Sequence, residues 1–162
     1  MSIEAVAARA GTGKTTVYRW WSGRAELAVD AFFSGTRAEL EMPNSESARE
    51  DFGRQIAELA DLLRGRRGRA FAAMLGGALS DSDLADTLNH RWLKPRRQWG
   101  FERMSRAVAD GQCRPGLRIP AALGILYGPI YTPLLFGQPV PSRAQVSAHL
   151  DIAFAGIFRP DP

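Results

Sequence analysis

The sequence predicts an all-α protein, and two observations carry that prediction. Apolar residues recur three and four positions apart along most of the chain, the spacing of a helix face. No run alternates apolar and polar residues over five positions with the β-branched enrichment of a strand. The 162 residues suffice for one globular domain, or for a small module joined to a larger one. A composition of 45% hydrophobic and 23% charged residues excludes a disordered or collagen-like chain.

The helices follow in order. Ile3, Val6, Ala7 and Ala10 fall at i, i+3, i+4 and i+7, with Ser2 placed to cap them. Gly11-Thr12-Gly13 ends that helix, because two glycines within three residues favour a turn. A second short helix from Lys14 to Trp21 turns Val17 and Trp21 to one side. Ser22-Gly23 breaks it, and a third helix starts at Arg24 with Leu27 and Ala31 inward. Residues 41–47 read as a linker with nothing to bury. Phe52, Ile56, Leu59 and Leu63 then mark an amphipathic helix, and Arg64 to Arg69 a basic turn, solvated as charge runs usually are. A helix from Ala70 to Leu79 comes next. Asp81 or Ser82 caps a long helix holding Leu84, Leu88, Trp92, Met104 and Val108, which Pro95 kinks or divides. The arginines at 91–106 read as its wet side. Gly111 to Pro120 forms a loop, and helices near 121–137 and 143–158 complete the chain.

Several function classes are excluded by what the chain lacks. Two histidines and one cysteine are too few for a Cys/His zinc site, so neither metal nor cofactor is expected. His90 and His149 stand without sequence partners, and no catalytic constellation marks an enzyme. Cys113 has no partner for an internal disulfide, which fits a reducing cytoplasm, and an inert thiol is its expected state. Residues 1–10 lack the basic start of a signal peptide. Ile119 to Ser142 carries no charge, but Pro120, Pro129, Pro133, Pro139 and Pro141 interrupt it, so it reads as a buried or interface helix and no membrane partner is expected. The net charge of +4 rests on arginine, with Lys14 and Lys94 the only lysines, and points toward a polyanion.

The turn at residues 11–15 admits two readings. Ala8 through Thr15 satisfies the loose phosphate-loop pattern, in which backbone N–H groups cradle phosphates and lysine reaches the outer ones. That loop must follow a strand of a parallel sheet, and the residues before Ala8 have helical period instead. The other reading is a helix-turn-helix, two short helices joined by a glycine-containing turn. The helix after Gly13 is then the recognition helix, with Lys14, Thr15, Tyr18 and Arg19 outward and Val17 and Trp21 as anchors.

The run from Ile3 to Leu27, IEAVAARAGTGKTTVYRWWSGRAEL, resembles the signature of TetR-family transcriptional regulators. Ala7, Ala10, Gly11, Lys14, Thr16, Val17, Tyr18, Trp21 and Leu27 fall in register with it. A weaker likeness continues from Gly111 to Ile157, where Leu126-Tyr127-Gly128-Pro129 resembles the dimerising helix of one branch. The resemblance implies a ligand-released repressor that binds double-stranded DNA as a homodimer, its recognition helices about 34–36 Å apart on a pseudo-palindrome. It implies a head over residues 1–40 and a helical ligand-binding and dimerisation domain over 41–162. By the same carry-over, Lys14 and Thr15 face bases or phosphates; Thr16, Tyr18 and Trp20 meet the backbone; and Arg24 clamps a phosphate where the family usually has lysine. The family's head opens with an additional helix, and this chain starts at the second, so Ile3, Val6, Val17 and Leu27 are expected to lose a hydrophobic wall. A helix cannot bury Tyr18, Trp20 and Trp21 together; Trp21 is expected in the core and the other two at least half exposed. An effector cavity is expected among Phe71, Met74, Leu75, Trp92, Trp99, Met104, Tyr127 and Tyr131, for an unidentified small molecule. The rival reading is a homodimeric ligand-binding or interaction module whose shortened head does not bind DNA.

Overall fold

Residues 2–34 and 42–159 are described by the computed structural model, and they are helical apart from connecting turns and an isolated bridge between Cys113 and Phe158. Three helices build the head: α1 (Ile3–Arg9), α2 (Lys14–Trp20) and α3 (Arg24–Phe33). Ser2 caps α1 as expected, its Oγ accepting from the Ala5 N–H at 3.3 Å. Gly11 turns the chain in the left-handed region at φ +62°, where a side chain would be strained. Ile3, Ala7, Val17 and Leu27 form a small core of their own, with Val6 and Trp21 against it. The expected loss of a wall does not leave this core open, because Ile3, Val17 and Leu27 bury one another to 8% exposure or less. Ala10 and Ala31 are exposed, against expectation. Ala10 lies past the last turn of α1, and α3 leaves the head beyond Leu27, so that Val29, Phe32 and Phe33 join the main core instead.

The body is arranged around α4 (Ala48–Leu63), which packs against α5 (Arg66–Ala78), α7 (Lys94–Ala109), α8 (Ile119–Leu135) and α9 (Arg143–Ile157). Burial of Phe52, Ile56, Leu59 and Leu63 follows the predicted stripe. Fully burying each large apolar side chain stabilises by about 1.5–3 kcal/mol, which makes α4 the main source of cohesion. Between α4 and α5 the predicted basic turn shrinks to Arg64-Gly65, with Gly65 at φ +77°. Arg66, Arg67 and Arg69 already belong to α5, because Gly68 lets its first turn approach the Leu63 carbonyl. A Cβ at Gly68 would sit 1.6 Å from that oxygen.

Asp81 caps α6 (Ser82–Leu88), accepting from the Leu84 N–H at 3.1 Å. The predicted long helix is divided: a π turn over Asn89–Leu93 separates α6 from α7, with Pro95 in the first turn of α7. Proline has no N–H to give the carbonyl four residues back, so regular bonding is interrupted at this point. The inward stripe of α7 becomes Gly100, Arg103, Met104 and Ala107, which leaves Val108 at its edge and exposed, contrary to the sequence reading. α8 begins at Ile119 and carries Pro129 and Pro133 inside it, and α9 opens on a capping box of Ser142 and Gln145. No helix among the described residues is long and apolar enough to cross a membrane.

Two polar expectations need correction. The arginines at 91–106 are not all solvated, since Arg103 is buried and its Nε donates to Asp51 Oδ2 at 2.7 Å. Segment 42–47 is not idle either: Met42 packs on the core, Ser45 bonds Asp51 through N–H and Oγ, and Gln112 donates to the Glu46 carbonyl. Glu41, the start of the predicted linker, and the predicted 40/41 boundary lie outside the described residues.

Candidate nucleic-acid interface and effector cavity

α2 touches the protein interior through Val17, its one buried residue. Lys14, Thr15, Thr16, Tyr18, Arg19 and Trp20 are all exposed. Trp20 is 66% exposed and Tyr18, at 46%, falls just short of the half expected of it. Trp21 is held in the head, packed on its core, with Nε1 donating to Asp30 Oδ2 at 2.9 Å. Cations and rings alternate along the open face, Lys14 Nζ lying 5.8 Å from the Tyr18 ring and Arg19 Cζ 5.8 Å from that of Trp20. Lys14 Nζ also lies 2.7 Å from Glu4 Oε1, and this hydrogen bond raises the lysine pKa and lowers that of the glutamate. The glycine turn joins two helices, with Ala8 inside α1, so the strand that a phosphate loop needs is not there.

Besides the apolar residues Val29, Phe32 and Phe33 that α3 sends into the main core, the head meets the body through charges. Arg24, at the start of α3, places Nη2 3.1 Å from Asp81 Oδ2. The Leu84 N–H, and then Arg24, hold the Asp81 carboxyl below its ordinary pKa. Arg91, on the π turn, pairs with both Glu26 and Asp30 of α3. Glu26 also accepts from the N–H and Oγ of Ser22 at 2.8 Å, and these bonds lower its pKa. Sequence reasoning saw Asp81 only as a cap and missed that Asp81, Arg91, Glu26 and Asp30 join head to body. Acids one turn apart on α3 are visible in the sequence, but their partners stand more than 60 residues away.

The structure distributes the eight expected cavity residues over several environments. Phe71, Trp92 and Met104 are fully buried. Phe71 and Trp92 stand in an aromatic cluster with Phe32, Phe33 and Tyr131, in which the Phe33 and Trp92 rings stack 3.9 Å apart. Met104 sits beside Cys113, whose thiol pKa burial pushes up, away from reactivity. Met74 and Leu75 pack on the same core. Trp99 and Trp92 line an opening on the side facing the head. Tyr127 and Tyr131 line a cavity of about 520 Å³ between α7 and α8, together with Leu93, Arg96, Leu123 and Gly124 among others. The Tyr127 hydroxyl donates to Gln55 Oε1 at 2.7 Å, and burial raises both phenol pKa values, so both rings stay neutral. Arg96 and Gly124 were missed, the first because it reads as one of a solvated run. No group of three or more His, Cys, Asp or Glu side chains suited to a metal occurs among the described residues.

A glycine-turned helix pair presenting cations and aromatics, seated on a helical body with an apolar cavity, defines the protein as a helix-turn-helix regulator. Residues 42–153 match the family described as tetracyclin repressor-like, C-terminal domain, and the chain belongs to the TetR family of transcriptional regulators. It is 28% identical over 157 residues to the HTH-type transcriptional regulator YdeS of Bacillus subtilis, covering 97% of this chain and 79% of that protein. It is 34% identical over 112 residues to the HTH-type regulator Rv1556 of Mycobacterium tuberculosis, covering 69% of this chain and 55% of that one. The TetR-family transcription regulator SCO0332 has the same fold, with a TM-score of 0.81 and 29% identity over 98% of this chain and 87% of that one.

Proposed function

We propose that this regulator is a cytoplasmic repressor that binds a pseudo-palindromic DNA operator as a homodimer and leaves it when a small apolar or amphipathic molecule occupies the body. The observation that carries the DNA-binding reading is α2, a helix that exposes Lys14, Thr15, Thr16, Tyr18, Arg19 and Trp20 around one buried anchor. A freestanding helix gains nothing by exposing Trp20, whereas a ring and a cation side by side suit a phosphate backbone. Arg24 stands at the next helix start and adds a phosphate contact. Residues 1–40 act as the DNA-binding head and 41–162 as the sensing and dimerising body.

The dimer reading rests on α8 and α9. Ile125 and Ile152 are 53% and 79% exposed, with Ala121, Ala148 and Ala155 open beside them at helical spacing. Two adjacent helices with small and apolar outer positions suit a four-helix contact with a second copy. Release follows as a population shift: an effector must bind better to the arrangement of heads that does not fit DNA. Arg91 ties the head to the π turn, and the next residue, Trp92, packs inside the body, so the two compartments share one short segment.

The test is fluorescence anisotropy with duplex DNA from upstream of the protein's own gene, against scrambled DNA of equal length, at several salt concentrations. Binding specific to the upstream DNA and falling steeply with salt is expected, because phosphate contacts release counterions. Arg24→Ala should weaken binding to both DNAs alike and lower the salt slope by about 1. No preference, with a flat salt response, overturns DNA binding and leaves the dimeric ligand-binding module.

A further inference from the structure

The cavity between α7 and α8 is lined by apolar side chains, two tyrosines, Arg96 and Arg97, and it contains no acidic residue. Arg96 has no hydrogen-bond acceptor among the described residues, and its Nε is buried without a partner. Arg96 stands where this cavity meets the opening on the head side, which it also lines. Its guanidinium lies over the Trp92 ring, 3.1 Å from the centroid, with Phe33 and Trp99 each 5.9 Å away. Stacking fixes the plane of a guanidinium while leaving its N–H donors free along the edge, the geometry that receives a carboxylate. Burial lowers the Arg96 pKa to about 10, so the group is still charged at neutral pH. A partly buried cation whose Nε is sealed from water gains from a paired anion, and no side chain of the described residues supplies one.

We infer that the effector taken by this cavity is an amphipathic monoanion, its carboxylate held on Arg96 and its apolar body lying along Leu93, Leu123 and Gly124. This rests on the effector reading proposed above and adds the chemical class of the ligand. A volume of about 520 Å³ falls within the usual range of small-molecule sites. Gly124, exposed on the α8 side of the cavity, leaves that side open, since a Cβ built on it meets no atom within 4 Å. Tyr127 and Tyr131, neutral and hydroxyl-bearing, flank the charged end without opposing an anion.

The test uses three probes of one chain length, decanoate, 1-decanol and decylammonium, each below its micelle concentration. Binding to the intact protein is followed by tryptophan fluorescence and calorimetry. Decanoate is expected to bind about tenfold or more tighter than decanol, and decylammonium weakest. Arg96→Met should erase the preference for decanoate while leaving decanol affinity within about twofold. Gly124→Leu, which fills the cavity and favours the helix, should abolish binding of all three. Equal affinity for decanol and decanoate, or a preference that survives Arg96→Met, overturns the ligand class and leaves the cavity as the effector site. Absence of binding by every probe, or binding indifferent to Gly124→Leu, overturns the cavity itself. If Arg96→Met does not fold, the head-group series on the unaltered chain decides the matter.

Discussion

Asp51 and Arg103 lie 52 positions apart and are both sealed from water, at 0% and 2% exposure. Arg103 donates through Nε to Asp51 and through Nη2 to the Ser45 carbonyl at 3.2 Å, while Ser45 caps the same carboxylate from its N–H and Oγ. Burial works to raise the Asp51 pKa, and the bonds from Arg103 and Ser45 outweigh it, so the carboxyl ends below its ordinary value. A depressed carboxyl contributes stability that is present above the unfolded pKa and lost as pH falls through the folded one. Melting temperature should therefore hold above about pH 4 and drop below it, more in the natural chain than in Asp51→Asn. Arg103→Ala removes the buried partner of Asp51, leaving it to Ser45 and to the half-exposed Arg54 with Nη2 3.7 Å from Oδ1, and should cost up to about 3 kcal/mol in urea unfolding. A loss near zero would show that water reaches the site. Sequence spacing cannot reveal such a pair, because each member reads as the polar flank of its own helix.

At the scale of elements, the corner between α4 and α5 holds the closest backbone approach at any described glycine. Gly68 stands where any side chain would collide with the Leu63 carbonyl, so Gly68→Ala forces backbone to move. The expected cost is about 1–3 kcal/mol or more, read from the thermal midpoint by circular dichroism. Gly76→Ala, in the same helix with open space around it, should be neutral or stabilising and serves as control. The apolar stripe of α4, the caps at Ser2 and Asp81 and the glycine turn of the head were legible, since each depends on residues within one or two turns of one another. The π turn was not. Pro95 announces a break, but whether the chain answers with a kink, a loop or an inserted residue depends on what packs against it. The open face of α2 could be read from its own sequence. The cavity could not, because Arg96 and Gly124 become neighbours only when α7 and α8 cross.

Considered whole, the molecule supplements the apolar anchorage of α3 with ion pairs between head and body, and one of them engages a residue proposed for DNA. Arg24 reaches Asp81 in the free protein, so operator phosphate and Asp81 compete for one guanidinium. Asp81→Ser keeps a good cap for α6 and removes the competing charge. Operator affinity should rise by at most about fivefold, since the pair is largely exposed and screened. An unchanged or weaker affinity would remove Arg24 from the interface. Assembly is tested by Ile152→Asp, which places a charge on the outer face of α9. Light scattering should then report the 17.8 kDa chain in place of twice that mass, and operator binding should fall with it.

α3 belongs to two cores at once: Leu27 closes the small one in the head, while Val29, Phe32 and Phe33 enter the large one two residues later. Anyone building hybrid sensors from this protein and a relative meets that division directly. Exchanging everything ahead of α4 would push three foreign side chains into the main core, two of them into the aromatic cluster around Trp92. A splice within α3, taking new residues through Leu27 and retaining the host's own from Val29 onward, transplants the reading surface while leaving the sensor's interior as it was.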